Sequence, residues 1–224
     1  MKNIILLDID GTITNNGQPC EKCTIEYLKN LSKNIDIGVV SSSNLERIFK
    51  QIDDLSFITI LFPENGTIVY KDNKIIHKME SINLQYLDSD IKNILYFFGF
   101  KNPYIEYRNS LVAIFPEGRN CDRTYDKYCI IRPKIIEKLK EHLTEEFDFT
   151  IGGQTSFELF PFGLDKTYCL QFLSDYDKIY FLGDRTEPCG NDWHIFNKLK
   201  ETSFTVKSVD DTIRLCNQIV SQII

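Results

Sequence analysis

Apolar residues along the chain come in two textures: short near-continuous runs, and stretches in which they recur every three or four positions. Asn3–Leu7, Ile35–Val40 and Phe57–Phe62 are mostly apolar segments of the first kind, with Asp36 and Thr59 as their polar interruptions. Runs of that length between polar segments read as strands buried on both faces. Ile25, Leu28 and Leu31 have helical spacing, which predicts a helix over Cys23–Lys33. Ser41-Ser42-Ser43-Asn44, ahead of Leu45–Ile52, is a helix N-cap signature. Pro63-Glu64-Asn65-Gly66 predicts a turn, and Thr67–Tyr70 with Lys74–His77 a hairpin around Asp72-Asn73. Strand and helix alternate through this first third, which argues for a parallel sheet with covering helices.

The middle third has a different rhythm. A helix is predicted over Leu84–Phe98, then strands Tyr104–Arg108 and Leu111–Phe115 joined by a tight Asn109-Ser110 turn. After a polar, Arg-containing loop come a helix over Pro133–Glu146 and strands Phe149–Gly152 and Ser156–Phe160. Antiparallel strands beside helices make a small α+β unit. The last third returns to alternation: helix Asp165–Leu173, strand Lys178–Leu182, helix Asn191–Lys198, strand Ser203–Val206 and helix Asp210–Ile223. The expected fold class is therefore α/β, with a Rossmann-like core made of residues 1–78 and 162–224 and an α+β insertion over 79–161.

Composition narrows the functional classes. With 224 residues, 42% hydrophobic and 26% charged, the chain can bury a core without staples. A net charge of −6 with scattered lysines gives no basic stripe for nucleic acid. No apolar stretch reaches the roughly 20 residues of a membrane span. The opening apolar run is broken by Asp8 and Asp10, too short for a secretory leader. Seven cysteines without such a leader imply reduced thiols and a cytosolic protein, and the lone Cys20-x-x-Cys23 is read as incidental.

The candidate chemistry sits where strands end. Asp8-x-Asp10-Gly11-Thr12 follows the first strand, at the carboxyl edge where open α/β sheets place ligands. At about 5 Å and an effective dielectric near 20, two carboxylates repel by about 3 kcal/mol. A bound Mg²⁺, which prefers hard oxygen ligands, reverses that sign. Asp184 and Asp192 follow a later strand, in Gly183-Asp184-Arg185-Thr186 and Gly190-Asn191-Asp192. Lys166 can supply a point charge to a phosphoryl group, and Ser41, Ser42 and Ser43 can offer hydroxyls and helix-start amides. Each element alone has an ordinary structural reading, and their joint occurrence in this order is what points to chemistry.

In that order the residues resemble the four motifs of the haloacid-dehalogenase superfamily. Over nearly its whole length the chain is similar to the eukaryotic phosphomannomutase family, through LLDIDGTIT, IDIGVV, FPENGTIVYKD, YIEYRN, GGQTSFELFP, GLDKTYCL and IYFLGDRTEPCGNDWHIF. The resemblance implies a haloacid-dehalogenase core with the insertion as a cap, and a Mg²⁺-dependent mutase moving phosphate between O1 and O6 of a hexose phosphate. It implies that Asp8 is the nucleophile, loaded by a hexose 1,6-bisphosphate, and that Asp10 is the acid/base. Mg²⁺ would be held by Asp8, Asp184 and the Asp10 carbonyl, with Asp192 close by. Ser41–Ser43 and Lys166 would bind the transferring phosphate. Arg108, Arg119 and Arg123 would grip the other phosphate, which suits guanidinium forks, and Ser156 and Glu158 would contact sugar hydroxyls. A homodimer through the caps is implied as well, with Leu95–Phe98 a candidate edge, and so is cap movement about linkers near Lys78–Ser81 and Phe162–Gly163.

Several positions depart from that family. Gly17 stands where it has a substrate-contacting arginine, Ser41-Ser42-Ser43 replace Gly-Gly-Ser, and Glu158 replaces Asp. Arg123 matches only across a short deletion, and Lys198 occupies an acid's place in a second cation loop, which predicts that this cation site is missing. Two rival readings follow: a sugar-phosphate phosphatase on the same scaffold, favoured by Gly17 and Ser41, and a catalytically idle sugar-phosphate binder.

Overall fold

The computed structural model describes residues 1–119, 125–143 and 145–223. The chain forms two compact units: Met1–Lys78 with Asp165–Ile224, and Met79–Leu164.

The first unit is built on a seven-stranded sheet. Its strands are β1 (Asn3–Leu7), β2 (Asp36–Val40), β3 (Ile60–Phe62), β4 (Ile68–Lys71), β5 (Lys74–Lys78), β10 (Lys178–Gly183) and β11 (Ser203–Thr205). Their spatial order is β11-β10-β1-β2-β3-β4-β5. The run from β11 to β3 is parallel, and β4 and β5 close the edge as an antiparallel hairpin. This is the expected α/β sheet.

Central β1 pairs with β10 from Asn3↔Lys178 to Leu7↔Leu182, and with β2 on its other side. Side chains alternate across a strand, so Ile5 and Leu7 pack with Ile25, Leu28, Ile48, Leu215 and Ile219. Those partners lie on or beside helices α1 (Lys22–Leu31), α2 (Leu45–Gln51) and α6 (Val209–Ile223). Ile4 and Leu6 face the other way, against Phe62, Phe181, Cys169, Leu173 and Ile195. That layer carries a 3-10 helix, Lys166–Leu173, and α5 (Trp193–Leu199). Burial on both faces is why β1 reads as an unbroken apolar run, each side chain contributing about 1.5–3 kcal/mol.

Some expectations shift. β3 starts at Ile60 because the chain turns first, with Ile58 N donating to Leu55 O. Phe57 is buried all the same. Lys166–Leu173 is 3-10 rather than α, with Asp165 accepting from Thr167 N at 2.7 Å at its start.

The second unit has a four-stranded antiparallel sheet, ordered β6 (Tyr104–Tyr107), β7 (Val112–Phe115), β9 (Phe157–Pro161), β8 (Phe147–Thr150). Helices α3 (Asp88–Phe97) and α4 (Tyr125–His142) cover one face, packing Ile91, Leu95, Ile135 and Leu139 on Val112, Ile114, Phe157 and Leu159. The expected Leu84–Phe98 helix opens instead with a 3-10 turn, Gln85–Leu87. β8 ends at Thr150, ahead of a turn in which Gly153 has φ +50°. α4 begins well before Pro133, which lies inside it. A start at Pro133 follows the rule that proline opens helices, and the tertiary structure overrides it.

Candidate active site

The carboxyl ends of β1, β10 and β2 lie side by side, so the residues after them meet. Asp8 N donates to Leu182 O at 3.0 Å, which extends the β1–β10 ladder one step and fixes Asp8 at the sheet edge. Asp8, Asp184 and Asp192 each offer a carboxylate oxygen, all within 4.8 Å of one another. Two glycines permit this. A Cβ on Gly11, whose φ is +82°, would stand 2.3 Å from Asp184 Oδ2, and one on Gly183 would stand 2.6 Å from Asp192 Cγ. Lys166 Nζ donates to Asp8 Oδ1 at 2.5 Å and to Asp192 Oδ1 at 2.6 Å, and Asp192 Oδ2 accepts from Arg185 N at 3.0 Å.

Three acids share this buried place with Lys166, while Arg185 Nε lies 3.7 Å from Asp184. Burial above all, then the charges of Asp192 and Asp184, push the Asp8 carboxyl well above its ordinary range against the pull of Lys166. Asp184 is pushed up to about 7, first by burial and next by Asp192. Burial works to lower Lys166, but Asp192 and Asp8 outweigh it and hold the ammonium above its usual value. The cluster is thus short of positive charge. Three convergent carboxylates are a hard-oxygen donor set suited to a divalent cation.

Asp192, expected near the metal, is fully buried and belongs to the cluster itself. The Asp10 side chain is not in that cluster. Its Oδ1 accepts from Gly17 N and from Gln51 Nε2, both at 2.8 Å, and Arg47 Nη2 lies 3.9 Å from its Oδ2. Any contribution of Asp10 to a cation would therefore come from its main chain.

Ser41, Ser42 and Ser43 are all buried after β2. Ser41 N donates to Phe62 O, and Ser41 Oγ accepts from Ser43 N at 3.1 Å. The turn expected at Pro63–Gly66 braces this loop, with Glu64 N on Ser43 O and Asn65 N on Ser41 O.

In the second unit the strand register gathers the polar candidates. Glu106 pairs with Ala113, Ala113 with Glu158, and Glu158 with Thr150. Because Val112 and Ile114 face the helices, this row lies on the opposite face, with small Ala113 between two glutamates. Arg108 Nε donates to Glu106 Oε1 at 2.9 Å, and Arg119 pairs with Glu106 Oε2. Arg119 also lies over the rings of Tyr104 and Phe115. Glu158 is buried and takes a long contact from Thr150 Oγ1 at 3.5 Å. Ser156 precedes β9 rather than lying in it. Arg123 lies outside the described residues.

Sequence reasoning missed Gln51, Arg47, Glu106 and Arg132. Arg132 is almost wholly buried, and its Nη1 donates to the carbonyls of Gly152, Gly153 and Ser156 at 3.1, 3.3 and 2.6 Å. An arginine beside a proline gives no signal of this. Glu106 had one signal, its i,i+2 spacing to Arg108 on a strand.

Comparison with known proteins fits this arrangement. Residues 24–222 match the family model described as eukaryotic phosphomannomutase. A phosphomannomutase of Arabidopsis thaliana is 36% identical over 236 residues, covering 95% of this chain and 94% of the relative. One of Triticum aestivum is 35% identical, covering 96% and 94%. Among solved structures, a haloacid dehalogenase-like hydrolase from Bacteroides thetaiotaomicron superposes with a TM-score of 0.64 at 14% identity, covering 98% of this chain and 100% of that one. An IMP-bound Plasmodium falciparum IMP-nucleotidase gives 0.66 at 16% identity, covering 99% and 68%. At such identities the structural likeness bears on the fold alone.

Proposed function

This chain belongs to the eukaryotic phosphomannomutase family, and on that premise we propose that it interconverts mannose 6-phosphate and mannose 1-phosphate through an aspartyl-phosphate on Asp8. The observation that carries the reading is the buried Asp8 at the end of β1, bonded to Lys166 and converging with Asp184 and Asp192. A nucleophilic carboxylate must be ionised, yet burial and two neighbouring acids oppose that. Lys166 works against them. Asp8, Asp184 and Asp192, with the main-chain carbonyl of Asp10, would hold Mg²⁺, which supplies the remaining charge neutralisation.

The protein's own residues then act in two half-reactions. In the first, a carboxylate oxygen of Asp8 attacks a phosphorus of hexose 1,6-bisphosphate. The bond from phosphorus to the sugar oxygen breaks, and Asp10 gives its proton to that oxygen. In the second, the incoming hexose monophosphate loses a hydroxyl proton to Asp10 as its oxygen attacks the phosphorus on Asp8. The phosphorus–Asp8 bond breaks, and both groups return to their starting states. Lys166 and the Ser41–Ser43 loop bind the transferring phosphoryl group. Arg108, Arg119 and Arg123 bind the other phosphate, and Ser156 and Glu158 the sugar hydroxyls.

Among the described residues no helix is long and apolar enough to cross a membrane. We place the enzyme in the cytosol as a homodimer joined through the inserted unit, where Tyr96 and Phe97 are exposed at 49% and 76% while Leu95 is buried in the core.

The test is ³¹P NMR with Mg²⁺, mannose 1-phosphate and a trace of glucose 1,6-bisphosphate, with the Asp8→Asn variant alongside. Conversion to the 6-phosphate that disappears in the variant is the expected result. Steady release of inorganic phosphate without isomerisation would replace this reading with the phosphatase one, for which Gly17 and Ser41 supply the grounds.

A further inference from the structure

We propose that Gln51 is a positioning residue for the acid/base carboxylate of Asp10, and that it assigns the travelling proton to Oδ2. The inference rests on the role given to Asp10 above and adds to it the residue that aims this group.

Three observations carry it. First, Gln51 ends α2 with 7% of its surface exposed, and its Nε2 donates to Asp10 Oδ1 at 2.8 Å. The main-chain N–H of Gly17 donates to the same oxygen at the same distance. Two donors fill the acceptor directions of Oδ1, which leaves Oδ2, 3.9 Å from Arg47 Nη2 and beyond hydrogen-bond distance of it, as the oxygen open to a proton. Both hydrogen bonds survive that protonation, and the carboxyl keeps its aim whether charged or neutral.

Second, Gln51 Oε1 is buried with no hydrogen-bond partner among the described residues. Leaving an acceptor unmet costs about 1–3 kcal/mol. A methionine would fill the same space without that cost, so packing alone does not account for an amide here. The donor half does, because Asp10 Oδ1, an acceptor, faces it. With Oε1 turned toward Asp10 instead, two acceptors would face each other.

Third, the two donors are tied together. Gln51 O accepts from Cys20 N at 2.7 Å, which joins the loop carrying Gly17 to the end of α2. Asn44 Oδ1 caps the start of the same helix on Arg47 N at 3.0 Å. Gln51 therefore reaches Asp10 from a short capped helix, and Gly17 reaches it from a loop fastened to that helix.

The test compares two phosphoryl donors in single-turnover experiments on the full-length protein with Mg²⁺. Glucose 1,6-bisphosphate needs a proton on its departing sugar oxygen, whereas p-nitrophenyl phosphate releases nitrophenolate without one. The variants are Gln51→Met, which keeps the volume and removes the donor, and Gln51→Glu, which keeps the shape and replaces the donor with an acceptor. Loss of one such hydrogen bond corresponds to a rate about tenfold lower, and Gln51→Glu should fall further. Transfer from the bisphosphate is expected to drop by these amounts. The nitrophenolate burst and the KM for mannose 1-phosphate should stay within about twofold of wild type. Equal slowing with both donors, or a raised KM at unchanged turnover, would overturn the proposal by making Gln51 a structural or substrate-contacting residue. Wild-type rates in both variants would overturn it while leaving the mutase reading intact. A wild-type protein that transfers from neither donor would sink the mutase reading, and this inference with it.

Discussion

Replacing Lys166 with methionine should destabilise the metal-free protein heavily, and more so at pH 8 than at pH 5. The Lys166 side chain is wholly buried, and its two partners, Asp8 and Asp192, are 5% and 0% exposed. Methionine keeps the bulk and removes the charge. Three convergent carboxylates then keep the Arg185 guanidinium, whose Nε lies 3.7 Å from Asp184, but no longer the buried ammonium. Removing one member of a buried ion pair costs about 3–5 kcal/mol, because the other is left charged and unsolvated. That is a large part of a domain's usual 5–15 kcal/mol. Asp8 and Asp184 are already raised by burial and by their acidic neighbours, and losing the lysine raises them further, so protonation at pH 5 relieves much of the cost. The assay is urea unfolding in EDTA, followed by tryptophan fluorescence. Trp193 is the only tryptophan of the chain and directly follows Asp192, so the signal reports the unit that holds the cluster. With a urea slope of about 2 kcal/mol per molar, the midpoint should fall by about 2 M at pH 8. A shift under about 0.5 M on the same slope, or one identical at both pH values, would refute the claim that Lys166 is what keeps the acids together.

Other outcomes follow from the same geometry. The metal-free wild type should itself lose stability as pH rises from about 4 to about 7. The Asp184 carboxyl, pushed up to about 7, binds more protons folded than unfolded throughout that window, and every tenfold gain in its proton affinity on folding corresponds to about 1.4 kcal/mol. Urea midpoints in EDTA at pH 5 and pH 8 check this, and Mg²⁺ added at pH 8 should restore the loss. Gly11→Ala should cost about 1–2 kcal/mol for its left-handed backbone. It should also weaken Mg²⁺ binding about tenfold to a hundredfold by displacing Asp184, as read by calorimetric titration. Arg132→Met leaves the carbonyls of Gly152, Gly153 and Ser156 without this donor. It should cost about 1–3 kcal/mol, raise the KM for mannose 1-phosphate, and speed proteolytic cleavage at residues 152–156.

What could be read in advance depended on whether a residue's partners were local. Asp8, Asp184 and Lys166 were legible because each follows a strand or opens a helix in a recognisable string, and sheet order then brings strand ends together. β1 and β10 were legible because burial on both faces leaves unbroken apolar runs. α4 was misjudged at its start because the local rule for proline yielded to tertiary packing. Gln51 and Arg132 gave no advance sign. Their contacts span 41 residues in one case and 20 to 24 in the other, and nothing in local pattern reports a hydrogen bond to a distant carboxylate or carbonyl. Asp10 shows both sides of this. Its place was evident from its neighbours, but the direction of its side chain was decided by a glycine amide and a glutamine on another element.

The pairing of β1 with β10 also bears on how the chain is made. Residues 79–164 are contiguous, so a ribosome delivers that whole unit in one piece, free to fold as it emerges. β1 leaves the ribosome long before and has to wait, because one of its two neighbours begins only at Lys178. The buried lysine, 158 positions after Asp8, arrives late too, and Asp192 later still. A nascent chain therefore carries Asp8 through most of synthesis without the lysine that bonds to it and the acids that converge with it. Apolar Ile4–Leu7 lacks its β10 neighbour over the same interval, and exposed apolar strands of that kind are prone to aggregation.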